Sequence, residues 1–143
     1  MSDGMPQDQK AYNAKVIEEF RANDGVMGPP FSGEGLLLLT TTGARSGEER
    51  TCPMMFVDQG ETVMVIASNM GAPSHPAWYR NLVAHPEVTV ERPHRPAYAA
   101  TARTAAGDER ARLWAGLLEG FPFFADHQAG TEREIPLVVL DPA

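Results

Sequence analysis

A chain of 143 residues with a formal net charge of −7 and a single cysteine has room for one buried core, excludes an internal disulfide and lacks the dense basic face of a nucleic-acid binder. No apolar run reaches the roughly 18 residues that a membrane-spanning helix needs. The opening MSDGMPQDQK lacks the charged-then-apolar order of a signal peptide, so the chain is expected in the cytoplasm.

Residues 1–9 are expected to be a flexible N-terminus, and residues 10–143 one domain. An amphipathic helix is predicted over residues 8–22, where Tyr12, Val16, Ile17 and Phe20 recur at helical spacing among Lys15, Glu18, Glu19 and Arg21. Its apolar side suits packing against the domain. The functional alternative is a second subunit or weak peripheral contact with the inner membrane, and two lysines and one arginine make a thin basic face for the latter. Residues 23–35, with four glycines and two prolines, read as a loop.

The unbroken run LLLLTTT, residues 36–42, predicts a strand covered on both faces and stopped by Gly43. A polar loop, residues 43–50, leads to a strand over 51–57, a turn at 58–60 and a strand over 62–67 that folds back on the first. The glycine- and proline-rich residues 68–76 open a short helix over 76–84 with Trp78, Leu82 and Val83 on its apolar side. Strands follow at 88–91 and 97–103, joined by the rigid turn Arg92-Pro93-His94-Arg95-Pro96. A helix over 108–118 places Ala111, Trp114, Leu117 and Leu118 on one side, and a strand over 135–140 closes the chain. Between these two, residues 121–131 are aromatic at Phe121, Phe123 and Phe124, then polar. Short turns require antiparallel neighbours, so the fold class is α+β, built on an antiparallel barrel or curved sheet with an N-terminal helix and inserted helices.

Candidate chemistry is concentrated near the first loop. Arg45, Ser46, Gly47 and Arg50 can bring guanidinium and backbone N–H donors to an anionic group, although Glu48 and Glu49 offset the charge and a solvated connection has the same composition. Ser68, Asn69 and Gly71 suit hydrogen bonds to a ring's heteroatoms, or a capped turn. Trp78 and Tyr79 suit a flat pocket wall, or the core. His75, His85, His94 and His127 fall at no metal-ligand spacing, there is no G-x-S-x-G nucleophile elbow, and Cys52 reads as a packing residue.

Three ordered runs, LLLLTTTGARSGEERTCPMMFV, IASNMGA and HPAWYRNLVAHPEVTVE, resemble the deazaflavin-dependent nitroreductase and quinone reductase family, whose members use coenzyme F420; ERARLW and REIPLVVL extend the likeness to the C-terminus. The resemblance implies a split β-barrel related to flavin-binding barrels. It implies a cofactor-phosphate loop at Gly43, Arg45, Ser46, Gly47, Arg50 and Pro53, with Cys52 and Met54 beside the cofactor. Ala67, Ser68, Asn69 and Gly71 resemble the edge that approaches the deazaflavin ring, and Trp78 and Asn81 the helix that closes over it. The expected reaction is hydride transfer from reduced F420 to a small planar electron-poor acceptor, with Ser68 polarising it, solvent or His127 as proton source, and Met55, Phe121 and Phe124 lining its pocket. Nitroimidazole-reducing members carry tyrosines where this chain has Phe121-Pro122-Phe123-Phe124-Ala125-Asp126-His127, which turns the expectation towards quinones and enones. An FMN-dependent reductase of the same fold and a non-catalytic cofactor-binding module are the alternatives. The residues leave the oligomeric state open.

Overall fold

The computed structural model describes residues 7–28 and 35–143. The chain runs α1 (Gln7–Ala22), β1 (Leu36–Thr42), β2 (Glu49–Met55), β3 (Val57–Asp58), β4 (Val63–Ile66), a 3-10 turn (Asn69–Gly71), α2 (Ala77–Ala84), β5 (Glu87–Glu91), β6 (Tyr98–Thr104), α3 (Gly107–Gly120), α4 (Phe123–Ala129) and β7 (Leu137–Pro142). The strands form one antiparallel seven-stranded sheet in the order β2-β1-β5-β6-β7-β4-β3. Its two end strands, β2 and β3, are consecutive in the chain and separated by Phe56 alone. The sheet must therefore curl until its ends meet. This is the split barrel expected from the sequence.

The four leucines of β1 are buried on both faces because each face has its own cover. Leu37 and Leu39 point into the barrel with Val63, Val65, Val90 and Leu140. Leu36 and Leu38 point outwards, under Val16 and Phe20 of α1 and Met27. Burial of each such side chain contributes about 1.5–3 kcal/mol, so α1 is held by the same strand that centres the barrel. Its far end is clamped as well: Arg21 donates to both carboxylate oxygens of Glu91 at 3.0 and 2.8 Å, and Gly25, at φ +87°, presses against Pro93 so closely that a Cβ would stand 2.5 Å from the proline backbone. A third cluster, centred on Met64, Leu137 and Val139, is covered by Leu117 of α3 and Phe124 of α4.

Several boundaries and partners differ from expectation. On α1 the buried positions are Asn13, Val16 and Phe20, while Tyr12 is exposed, because steps of three and four residues from Val16 lead to Asn13 and Phe20 on one side. With its apolar side used on β1, the described part of α1 has no free apolar stripe for a membrane, and no helix among the described residues is long and apolar enough to cross one. The second strand starts earlier and breaks at Phe56, so the hairpin into β4 is made by β3. β4 pairs with β7 and β3 rather than folding back on β1. Pro53 is tolerated inside β2 because this terminal strand has one edge without a ladder. β7 begins at Leu137, after Pro136, which has no N–H to donate. Residues 121–131 contain a helix, α4, that the aromatic run did not signal, and Ala111 of α3 is exposed, its place on the packed side taken by Leu113 beside the expected Trp114, Leu117 and Leu118. The flexible stretch expected over residues 1–9 and the loop expected over 23–35 fall in part on residues 1–6 and 29–34, outside those described.

Candidate functional site

The loop between β1 and β2 is closed by its own backbone. Gly43 N–H donates to the Glu48 carbonyl at 2.8 Å and Gly47 N–H to the Gly43 carbonyl at 3.0 Å, while Ser46 Oγ accepts from Glu48 N–H at 3.1 Å. Gly47 sits at φ +71°, a conformation that L side chains rarely adopt. Asn81, on α2 and 3% exposed, fastens this loop to the sheet: its Oδ1 accepts from Ala44 N–H at 2.9 Å and its Nδ2 donates to Thr41 Oγ1 at 3.2 Å. The end of β1, the loop and α2 are thereby one rigid unit.

A cleft of about 500 Å³ lies against this unit. Its floor is β2, through Arg50, Thr51 and Cys52; α1 supplies Lys10, Asn13, Ala14 and Ile17, and α2 supplies Ala77, Trp78 and Asn81. Two cations, Lys10 and Arg50, border it with one acid, Glu48, whose Oε2 accepts from Arg50 Nη2 at 3.0 Å. Four of the residues singled out from the sequence, Arg50, Cys52, Trp78 and Asn81, meet here.

A second group forms where β4 ends. Ala67 and Ser68 are buried, and both carbonyls are held by Arg133, through Nη1 to Ala67 at 3.1 Å and Nη2 to Ser68 at 2.6 Å. The same guanidinium donates from Nε to the Ala72 carbonyl at 2.9 Å and from Nη1 to His75 Nδ1 at 3.0 Å. His75 thus accepts as a neutral ring, and burial, then the charges of Arg133 and Arg80, push it below the usual imidazole range. Asn69 adopts φ +48° and its side chain donates to the Ser74 carbonyl at 3.0 Å. Gly71, at φ +78°, lets α4 approach: a Cβ there would stand 2.8 Å from the His127 carbonyl. This contact brings the aromatic segment to the loop. The His127 ring lies 5.5 Å from those of Phe123 and Phe124, with its Nδ1 buried and without a hydrogen-bond partner.

The remaining expected residues are dispersed. Arg45, Ser46 and Gly47 are exposed on the loop, Pro53 lies opposite Leu38 in the ladder, Met54 packs against the barrel interior, and Met55 packs between the outer clusters. Phe124 is buried in the third cluster and Phe121 is partly exposed. Arg92 and Arg95, which the resemblance enlists for the cofactor's acidic tail only if they lie near the loop, follow β5 at the Leu36 end of β1, roughly 20 Å along the strand from it. That condition is not met. Sequence reasoning missed Lys10 and Asn13, and gave Arg133 no role although it opens the REIPLVVL run. Among the described residues no cluster of His, Cys, Asp or Glu is assembled that could hold a metal.

Comparison with known proteins places this geometry. The family model described as F420H(2)-dependent quinone reductase matches residues 13–142. The F420H(2)-dependent quinone reductase Rv1261c of Mycobacterium tuberculosis is 34% identical over 124 residues, covering 85% of this chain and 83% of that protein. A solved structure of an F420-H2-dependent reductase (FDR-A) is 37% identical with a TM-score of 0.67, covering 75% of this chain and 94% of the other. Another, described as a domain-swapped dimer, is 34% identical with a TM-score of 0.70, covering 96% and 100%. From the barrel to the ordered motifs along it, the chain belongs to the F420H(2)-dependent quinone reductase family.

Proposed function

We propose that this protein is an F420-dependent reductase whose acceptor is a small planar electron-poor molecule, a quinone before an enone or a nitro compound. The observation that carries the reading is the cleft of about 500 Å³ that gathers Arg50, Cys52, Trp78 and Asn81, a volume within the range of ligand pockets. Its donor set suits the cofactor. Lys10 and Arg50, with Arg45 on the neighbouring loop, supply charge-assisted donors for a phosphate and carboxylate tail, and Trp78 supplies a flat wall for a conjugated ring. When bound, reduced F420 supplies a hydride.

The protein's part is orientation, exclusion of water and a proton. Arg133 holds the carbonyls of Ala67 and Ser68 in place, and with them the edge assigned to the ring. Ser68 is the group for polarising the acceptor. His127 Nδ1, buried and unpartnered beside that loop, is suited to pass a proton to the reduced acceptor. Phe121, Phe123 and Phe124 furnish an aromatic wall without a phenol, which favours quinones and enones over bulky nitroimidazoles.

A fluorescence titration with F420, with FMN as competitor and Arg50→Ala alongside, tests the cofactor; quinone-dependent oxidation of reduced F420 tests the reaction. F420 binding that FMN does not displace, weakened at least tenfold by Arg50→Ala, supports the reading. Preference for FMN, or binding of F420 without turnover of any quinone, overturns it. Within the reading, Ser68→Ala is expected to keep F420 affinity and lower kcat at least tenfold, and an unchanged kcat removes Ser68 from its role.

A further inference from the structure

The end of the barrel away from the β1–β2 loop holds a cation that the proposed reaction does not use. Arg92, in the connection from β5 to β6, is 5% exposed. Its Nη2 lies 3.2 Å from Asp58 Oδ2 and its guanidinium carbon 5.3 Å from the centre of the Phe56 ring. Nε and Nη1 are buried and have no hydrogen-bond partner among the described residues. Guanidinium N–H groups so withdrawn from water are almost always partnered, so two vacant nitrogens on one side chain call for an acceptor.

There is space for one. A hollow of about 390 Å³ is lined by Gly35, Phe56, Asp58, Arg92, Pro93 and Arg95, and a smaller one of about 140 Å³ shares Arg92 and Arg95 with it. The two arginines stand together, and both lower the carboxyl of Asp58, after the larger effect of the Gly60 N–H on it. The other acids around the smaller hollow are already engaged, Glu91 with Arg21 at 2.8 Å and Asp24 with His94 at 2.9 Å.

We infer that this hollow is a second ligand site that takes the carboxylate of a small organic acid, held by Arg92 and Arg95, with Phe56 and Pro93 as the seat for its apolar body. Asp58 decides between oxyanions. Its carboxylate already occupies Nη2, so a phosphate dianion meets stronger repulsion there than a carboxylate with one charge. The carboxylate is that of a free acid, because the loop assigned to the cofactor's anionic part lies roughly 20 Å along β1.

Arginine Nε–H resonances followed by NMR provide the test, with sodium benzoate, inorganic phosphate and sodium chloride added at matched ionic strength to the full chain. The Arg92 Nε–H signal is expected to move saturably with benzoate, with an apparent affinity at least tenfold above that for phosphate. Arg95→Ala, at an exposed position, is expected to weaken benzoate at least fivefold while F420 affinity stays unchanged. Saturable movement of the same signal by F420, blocked by benzoate, overturns the assignment to a free acid. A response linear in salt and alike for all three anions, or one untouched by Arg95→Ala, overturns the site.

Discussion

Arg133 donates to the Ser68 carbonyl at 2.6 Å across a separation of 65 residues, and the same side chain reaches Ala67, Ala72 and His75. One guanidinium therefore shapes the whole passage from β4 to α2. Hydrogen bonds to a charged group contribute about 1.5–3 kcal/mol each, and removal of this one takes the guanidinium partner from the Ala67 and Ala72 carbonyls, while Ser68 keeps only the Gly71 N–H. Arg133→Ala is expected to cost about 3 kcal/mol in urea unfolding and to weaken F420 at least tenfold. Arg133→Lys, which cannot span the same carbonyls, should recover less than half of either loss.

Asn81 makes the equivalent link for the loop between β1 and β2. Asn81→Ala frees the Ala44 N–H and the Thr41 hydroxyl in a site 3% exposed, at an expected cost of about 2 kcal/mol. F420 affinity should fall with it, because the backbone of residues 43–48 is no longer tied to α2. Denaturant unfolding and the fluorescence titration read the two effects separately.

Under the proposed function Glu48, which accepts from Arg50 at 3.0 Å, competes with the cofactor for that guanidinium. The pair is largely exposed on the Glu48 side, so its strength is at most about 1 kcal/mol. Glu48→Gln is expected to raise affinity for F420 by roughly two- to fivefold with little change in stability. A salt titration of F420 binding should show a shallower slope for the wild type than for the variant.

His75 makes stability depend on pH with a definite sign. Its folded-state pKa lies below the unfolded value of 6.5, so between the two the unfolded chain binds more protons. The contribution is complete above about pH 6.5 and is lost as pH falls towards the folded value, where the ring charges against Arg133. Unfolding free energy should therefore drop between pH 7.5 and 5.5, and His75→Gln should flatten that slope.

Gly71→Ala probes the approach of α4. A φ of +78° costs an L residue about 1–2 kcal/mol, and the new Cβ meets the His127 carbonyl at 2.8 Å. A loss of roughly 3 kcal/mol in unfolding free energy and a fall in kcat are expected together.

Much of this architecture was legible in local pattern. LLLLTTT announced a strand covered on both faces, residues 43–50 announced a polar loop, and the short turns required antiparallel neighbours. The motif order, with its glycines, arginines and WYRN helix, carried the family and its cofactor. These are properties of adjacent residues: periodicity follows from backbone geometry, and turn chemistry from the few residues that tolerate it. What only the tertiary structure decided are contacts made across the chain. The break at Phe56 sends β4 to β7 and lets the sheet ends meet. Asn13 rather than Tyr12 faces the barrel, and Arg92 is buried at the end of β1 away from the loop, a position the residues alone could not give. Arg133 joins Ser68 and α4 joins Gly71, although neither side of either pair has a local signature. A side chain bonding a carbonyl many residues away leaves the pattern around it unchanged, so the residues alone could show that a site exists but not what holds it in shape.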